Sequence, residues 1–287
     1  MQQFKASVGL ISVKSAIIGV FILKEIEMIF RQLITYCLLL TLFLLSAQAL
    51  PPRSPAGGKM LQLDETHDYV GTGEAWFPDE QFEQLTVEAW IYFEEPAGPS
   101  KLWSIIGQEG RFNFIVTGGG SLGSWAAHKA AKDTSMVVNS LPLPTREWVH
   151  VVGMYYAKAG MGFNGKGGIW CCPGGHFMKS YKPLRIGGII PKNQEKRYFS
   201  GENVKFRGFI DEMRISNILR YPDREWKIPQ KKFKVDEHTI SLWHFDEAPW
   251  LGRFKDESGN GYDLWRGDSM SVEAGGKLTT KWGELKR

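Results

Sequence analysis

Leu85-Thr86-Val87-Glu88-Ala89-Trp90-Ile91-Tyr92-Phe93 puts Val87, Ala89, Ile91 and Phe93 at every second position. Side chains of an extended chain alternate between two faces, so this stretch predicts a strand with one apolar face against a core. The same period recurs from Trp148 to Met154, where Trp148, His150, Val152 and Met154 alternate with Val149, Val151 and Gly153. Phe112 to Val116, Phe209 to Ile215 and Ile240 to Phe245 add three more such runs, and Gly, Pro, Asn or Asp bound each of them. Short strands at regular spacing between turn residues predict an all-β, antiparallel β-sandwich. Met161-Gly162-Phe163-Asn164-Gly165-Lys166 sets Asn-Gly between two extended pieces, and both residues tolerate the positive φ of a type I′ hairpin turn. Asn217 to Trp226 reads as locally helical, limited by Pro222 to a turn or two.

The chain has 287 residues, 43% of them hydrophobic, with 32 Gly and 14 Pro, which suits a turn-rich globular domain with a full core. Its charge of +4 is carried partly by residues 1–49, with four Lys/Arg against two Asp/Glu. Neither nucleic acid nor an anionic membrane is implied as a partner, since a phosphate-binding surface needs a local excess of Lys and Arg. The densest basic cluster, Lys227, Lys231, Lys232 and Lys234, is interleaved with Glu225 and Asp236 and reads as a solvated linker.

Leu33-Ile34-Thr35-Tyr36-Cys37 opens an apolar run preceded by Arg31 and ending at Ser46-Ala47-Gln48-Ala49. That is the form of a secretory signal peptide with a small-x-small cleavage site, and it implies export and a mature chain without a stable membrane span. A second apolar stretch, Ala16 to Leu23, is foreign to an ordinary leader and suggests that Met28 is the true start; an uncleaved membrane anchor is the alternative. The expected layout is a signal peptide over 1–49, a linker over 50–58 and one domain over 59–287. Cys171 and Cys172 are adjacent, and a bridge between neighbours needs a distorted peptide unit, so they read as two small hydrophobes.

Four stretches together resemble the laminin-G-like branch of the concanavalin A-like lectin/glucanase superfamily. Glu83 to Ile91 is similar to its "sfTvEaWi" strand, Arg146 to Val152 to its "W-x-HVa" strand, Phe163-Asn164-Gly165-Lys166 to "YvNGk", and Phe206 to Ile215 to "f-x-G-x-IDEvri". The resemblance implies a jelly-roll sandwich. Leu242 to Glu247 with Asp256 to Gly261 resembles a segment that often opens such domains but here closes one, so the last strands are expected to pair back beside the first.

Glucanases of the superfamily place two working carboxylates on one strand, aimed into the same cleft. Asp211 with Glu212, and Asp246 with Glu247, are neighbours whose side chains should face opposite ways, so no catalytic residue is expected and the chain is read as a non-enzyme. Calcium is the metal considered. Asp256, Ser258 and Asn260 stand at positions 1, 3 and 5 of a loop with Gly261 at 6, although Gly267 replaces the closing Glu, and a turn bonded to its own backbone is the alternative. The resemblance also implies a structural calcium on Asp211, with Asp64 and Asp68 as companions. Trp125 and His128, in a Gly-rich loop from Gly118, and Trp170, beside Gly167-Gly168, are the candidate ligand contacts. Trp90, Trp148 and Trp243 read as inward, structural residues. Two functions stay open, a secreted non-catalytic carbohydrate-binding domain and a protein-interaction or surface-structural domain, either of them extracellular or periplasmic. N-terminal sequencing of the exported protein is expected to begin near Leu50, and an intact Met1 or Met28 in a membrane fraction contradicts the leader.

Overall fold

The computed structural model describes residues 24–39, 51–64, 69–77, 79, 82–99, 101–126, 135–156, 159–167, 177–188, 202–223, 225–248 and 251–267. The chain divides into two compact units, Met1–Leu50 and Pro51–Arg287. The first holds a helix over 24–39 with exposed Ile26, Ile29, Phe30 and Leu33. Among the described residues no helix is long and apolar enough to cross a membrane.

The second unit is built of strands β1 (Leu61–Leu63), β2 (Val70–Ala75), β3 (Leu85–Tyr92), β4 (Lys101–Gln108), β5 (Phe112–Thr117), β6 (Ser121–Ala126), β7 (Ser135–Pro142) and β8 (Val149–Tyr155). They continue with β9 (Ala159–Phe163), β10 (Lys166–Gly167), β11 (Pro183–Ile186), β12 (Glu202–Val204), β13 (Gly208–Ser216), β14 (Thr239–Trp243), β15 (Arg253–Phe254) and β16 (Leu264–Arg266). One sheet has seven strands in the order β1-β13-β3-β8-β9-β10, with β14 also on β13; the other has nine, β15-β16-β2-β11-β4-β5-β6-β7, with β12 also on β4. All pairs are antiparallel except β12 with β4. This is the antiparallel β-sandwich that the alternation predicts, with the jelly-roll form that the resemblance implies.

The core lies between the sheets. Val87, Ala89, Ile91 and Phe93 point into it, as do Val149 and Val151, and they share it with Trp103, Ile105, Phe112, Phe114, Val116 and Trp243. Asn164 and Gly165 take φ of +46° and +79° and bring Lys166 opposite Phe163, a tight two-residue turn. The C-terminal strands do return to the first: Trp265 and Arg266 of β16 pair with Gly71 and Val70 of β2.

Four expectations are corrected. Trp90 and Trp148 are buried on the opposite side of the seven-stranded sheet, in a second cluster with Tyr92, Phe233 and Leu242. Alternation separates two faces but does not say that one is wet, and here both are covered. The covering is done by the two segments expected as solvated linkers. Over 51–58, Pro51 and Ser54 are buried and Pro52 O accepts from Trp148 Nε1 at 2.6 Å; over 225–238, Phe233 is buried and Lys234 O accepts from Arg214. The segment from Asn217 is irregular because tertiary partners take its polar groups: Arg220 N donates to Thr86 Oγ1, Leu219 N to Gln84 and Asn217 N to His238 O.

The β9–β10 hairpin is bare of side chains where Trp226 lies across it. A Cβ on Gly162 would sit against Lys166 O and 2.6 Å from the Trp226 ring, and one on Gly167 would sit 2.8 Å from that ring. Gly162→Ala is therefore expected to destabilise the domain by about 2 kcal/mol through overpacking, read as a lowered melting temperature with unchanged far-ultraviolet circular dichroism.

Candidate functional site

The outer face of the seven-stranded sheet carries the polar residues of β3, β8 and β13, and Glu88 stands among them, fully buried. Its Oε1 accepts from Arg214 Nε and Nη2 at 2.9 and 2.7 Å, and its Oε2 from the Tyr221 hydroxyl at 2.6 Å and His150 Nε2 at 3.2 Å. The register makes this possible, since Glu88 lies opposite Val152 on β8 and Arg214 on β13. His150 Nδ1 accepts from Trp226 Nε1, which leaves Nε2 as the donor to Glu88. Burial pushes the Glu88 carboxyl up, but the His150 hydrogen bond and the Arg214 charge outweigh it and hold it down at about 2. Arg220 extends the network to Asp236 through two bonds of 2.8 and 2.7 Å, and these hold the Asp236 carboxyl well below its ordinary value.

β13 contains a bulge. Asp211 is opposite Trp90 and Arg214 opposite Glu88, so three steps on β13 span two on β3, with Glu212 at φ +49°. The extra residue overturns the expectation that Asp211 and Glu212 face opposite ways: both lie buried on the outer side. Glu212 accepts from Phe233 N at 2.8 Å, and His244 Nδ1 lies 2.9 and 2.8 Å from its two oxygens and is raised by that contact. Asp211 Oδ1 accepts from Glu212 N at 2.9 Å, while its buried Oδ2 has no hydrogen-bond partner among the described residues. Burial first, and the charges of Glu212 and Asp246, push its carboxyl up to about 7 against the pull of the Ser54 hydroxyl. Asp246 accepts from Lys59 N at 2.8 Å and is paired with Lys232. Two neighbouring carboxylates thus share a face, but both are sealed and Glu212 is occupied at both oxygens, so neither reaches a glycosidic bond from this position.

The candidate calcium ligands do not fit that ion in this arrangement. Asp256 Oδ1 accepts from Leu242 N and Ser258 N and its Oδ2 from Tyr262 N, while Ser258 Oγ and Asn260 Nδ2 both donate to Ile240 O. Oxygens engaged by amides, and groups turned inward as donors, form a self-bonded turn rather than a cage. Asp64 follows Leu63, which pairs with Gly208, so the ladder sets it at least three residues, about 10 Å, from Asp211; Asp68 lies outside the described residues. Among those residues no group of three or more His, Cys, Asp or Glu is arranged for a metal.

Trp125 belongs to β6 rather than to a loop, opposite Asn113 on β5 and Met136 on β7. The Gly-rich signal marks the β5–β6 turn instead, where Gly120 takes φ +83°. His128, Trp170, Cys171 and Cys172 lie outside the described residues. An open groove of about 460 Å³ at the hairpin tip escaped the sequence reading; Asn164, Lys166, Glu225, Trp226, Lys227 and Gln230 line it. Its signal in the sequence is the run of glycines around Asn164, which bares a patch of strand for a large side chain from elsewhere.

Residues 64–166 match the Laminin_G_3 family model, described as the concanavalin A-like lectin/glucanases superfamily. The match spans three of the four motifs that resemble this superfamily, and the fourth lies outside the matched segment on β13, which pairs with β3 inside it. No curated protein matches the chain. Among solved structures, a candidate carbohydrate-binding protein from Bacteroides ovatus superposes over 73% of this chain and 58% of its own, at 20% identity and a TM-score of 0.50. Domains LG4-5 of the mouse laminin α1 chain give 15% identity, 60% and 47% coverage and a TM-score of 0.42. The CBM40 of Ruminococcus gnavus IT-sialidase, bound to α2,3 sialyllactose, gives 12%, 57% and 95%, and 0.40. This chain therefore spans little more than half the length of the Bacteroides protein, and the likeness to it shows the shared fold.

Two pH responses of opposite sign follow from the buried carboxylates. Glu88 is depressed from 4.5 to about 2, so its stabilisation is complete above about 4.5 and lost as pH falls toward 2. Glu88→Gln is expected to cost about 3–5 kcal/mol at pH 7, because Arg214 stays behind without its counter-charge, and to flatten the acid limb of the melting curve. Asp211 is raised from 3.8 to about 7, so the native state loses stability as pH climbs through that window and carries the full cost above it. Asp211→Asn should accordingly melt higher than the native protein at pH 8 and alike at pH 4.

Proposed function

We propose that this chain is an exported, non-catalytic domain that binds carbohydrate. The observation that carries the reading is the groove at the β9–β10 hairpin tip. Half-buried Trp226 lines it beside the amides of Asn164 and Gln230 and the charges of Lys166, Glu225 and Lys227. Aromatic surface takes the C–H face of a pyranose, while amides and charged groups read its hydroxyls. The superfamily match and the Bacteroides fold support the reading, as does the sealing of Asp211 and Glu212 beneath the covering segments. Trp125, on β6 of the nine-stranded sheet, remains a second candidate, and His128 and Trp170 lie outside the described residues. A protein partner is the other reading, and fold alone does not choose between them. Export rests on the apolar run before Ala49.

A glycan array probed with the secreted protein is expected to give a defined set of positives. Gln230→Ala with Lys227→Ala should weaken them by roughly tenfold if the groove is the site, whereas a loss confined to Trp125→Ala moves the site to the other sheet. Silence across the array overturns carbohydrate binding.

A further inference from the structure

Residues 51–60 cross the outer face of the seven-stranded sheet as an irregular strap. Beneath and beside them lie Trp90, Tyr92, Trp148 and Phe209, with Tyr92 5.8 Å from Trp148 and 6.0 Å from Phe209, centroid to centroid. From the strap side, half-buried Ala56 and Met60 pack against this cluster. Polar ties do the rest: Pro52 O accepts from Trp148 Nε1, Lys59 N donates to Asp246, and the Ser54 hydroxyl lies beside Asp211. Gly57 and Gly58 take φ of +79° and +81° in succession, a hinge between the strap and β1, and Gly58 is pressed so closely on Asp246 Oδ1 that a Cβ would collide with it.

Two indoles on this face differ in a telling way. The Trp148 donor is satisfied by a carbonyl of the strap itself, while Trp90 Nε1 is buried without a hydrogen-bond partner among the described residues. A buried N–H without an acceptor costs about 1–3 kcal/mol, so the closed face retains a donor that an incoming oxygen would satisfy. Tyr92 is tilted 51° to Trp148 and 68° to Phe209, so the rings form a cupped aromatic wall with indole donors at its edge rather than one flat platform, and single ring faces of such a wall can still take the C–H face of a sugar.

We propose that residues 51–56 are a lid hinged at Gly57-Gly58 over a second, covered glycan subsite formed by Trp90, Tyr92 and Trp148, with the Pro52 carbonyl holding the place of a sugar hydroxyl. The subsite rests on the carbohydrate reading; the lid does not. Closed and open lids are two populations, and the closed one lowers apparent affinity by the fraction of molecules that hold it.

The test uses the full chain and two measurements. Hydrogen exchange reads the lid without any ligand: amides of 51–58, such as Gly57 N bonded to Ser54 O, should exchange much faster than those of β3, and faster still in Gly58→Ala. Exchange as slow as in β3 overturns the lid. Isothermal titration with cellohexaose, laminarihexaose and sialyllactose reads the subsite. Gly58→Ala, which unseats the lid, should bind severalfold tighter than the native chain, a gain that a merely structural strap would not give. Trp148→Ala in the same background should lose roughly tenfold. Ser54→Ala, milder, should shift affinity in the same direction as Gly58→Ala if the latter fails to fold. Binding unchanged by Gly58→Ala and Ser54→Ala overturns the covered subsite and leaves the groove reading intact, whereas no binding by any variant overturns both.

Discussion

An ionised carboxylate sealed in protein must be met by donors at every lone pair, and Glu88 meets that demand with partners drawn from three places in the chain. His150 comes from the neighbouring strand, Arg214 from the strand on the other side and Tyr221 from the irregular segment beyond β13. The charge can stay buried only while all three are in place, so the register of β3, β8 and β13 and the path of the chain after β13 are specified together. A slip of one residue in either pairing would turn Glu88 into the apolar core, away from Arg214, His150 and Tyr221. The covering segments belong to the same constraint, because Phe233 packs under the Arg214 guanidinium at 4.8 Å while Lys234 O accepts a hydrogen bond from its Nη1.

The bulge at Glu212 shows how one inserted residue redistributes chemistry. Without it, Asp211 and Glu212 would divide between core and surface, and the core side would hold a charge. With it, both face outward, Met213 is free to enter the core, and the cost of two adjacent acids is met by His244, by the Phe233 amide and by keeping Asp211 largely protonated below neutrality. An arrangement that looks like a catalytic pair on a list of residues is in space a structural joint.

Much of the sandwich was legible because period-two alternation and Asn-Gly turn chemistry are local properties: β3, β5, β8, β13 and β14 and the β9–β10 turn could be placed from their own residues. The return of the last strands to the first was legible too, because the closing segment is too short to bury a core alone. The second buried face was not. Trp90 and Trp148 satisfy the same alternation whether the outer side is wet or covered, and what covers them is irregular backbone with Pro, Lys and Gly, which reads as linker. The bulge left no mark either, since Asp211, Glu212 and Met213 fit an unbroken strand equally well. The groove was missed because Trp226 and the glycines it rests on are some 60 residues apart.

The pairing of β2 with β16 has a consequence in time. Val70 and Arg266 are partners, so one sheet joins residues from opposite ends of the sandwich. Closing so large a loop is entropically uphill until many contacts form at once, which places this domain among slow, cooperative folders. A chain emerging from the ribosome must carry β2 without β16 until residue 266 is free. Until then the oldest strands wait on the newest, and this edge of the sheet is completed only once that stretch has been synthesised.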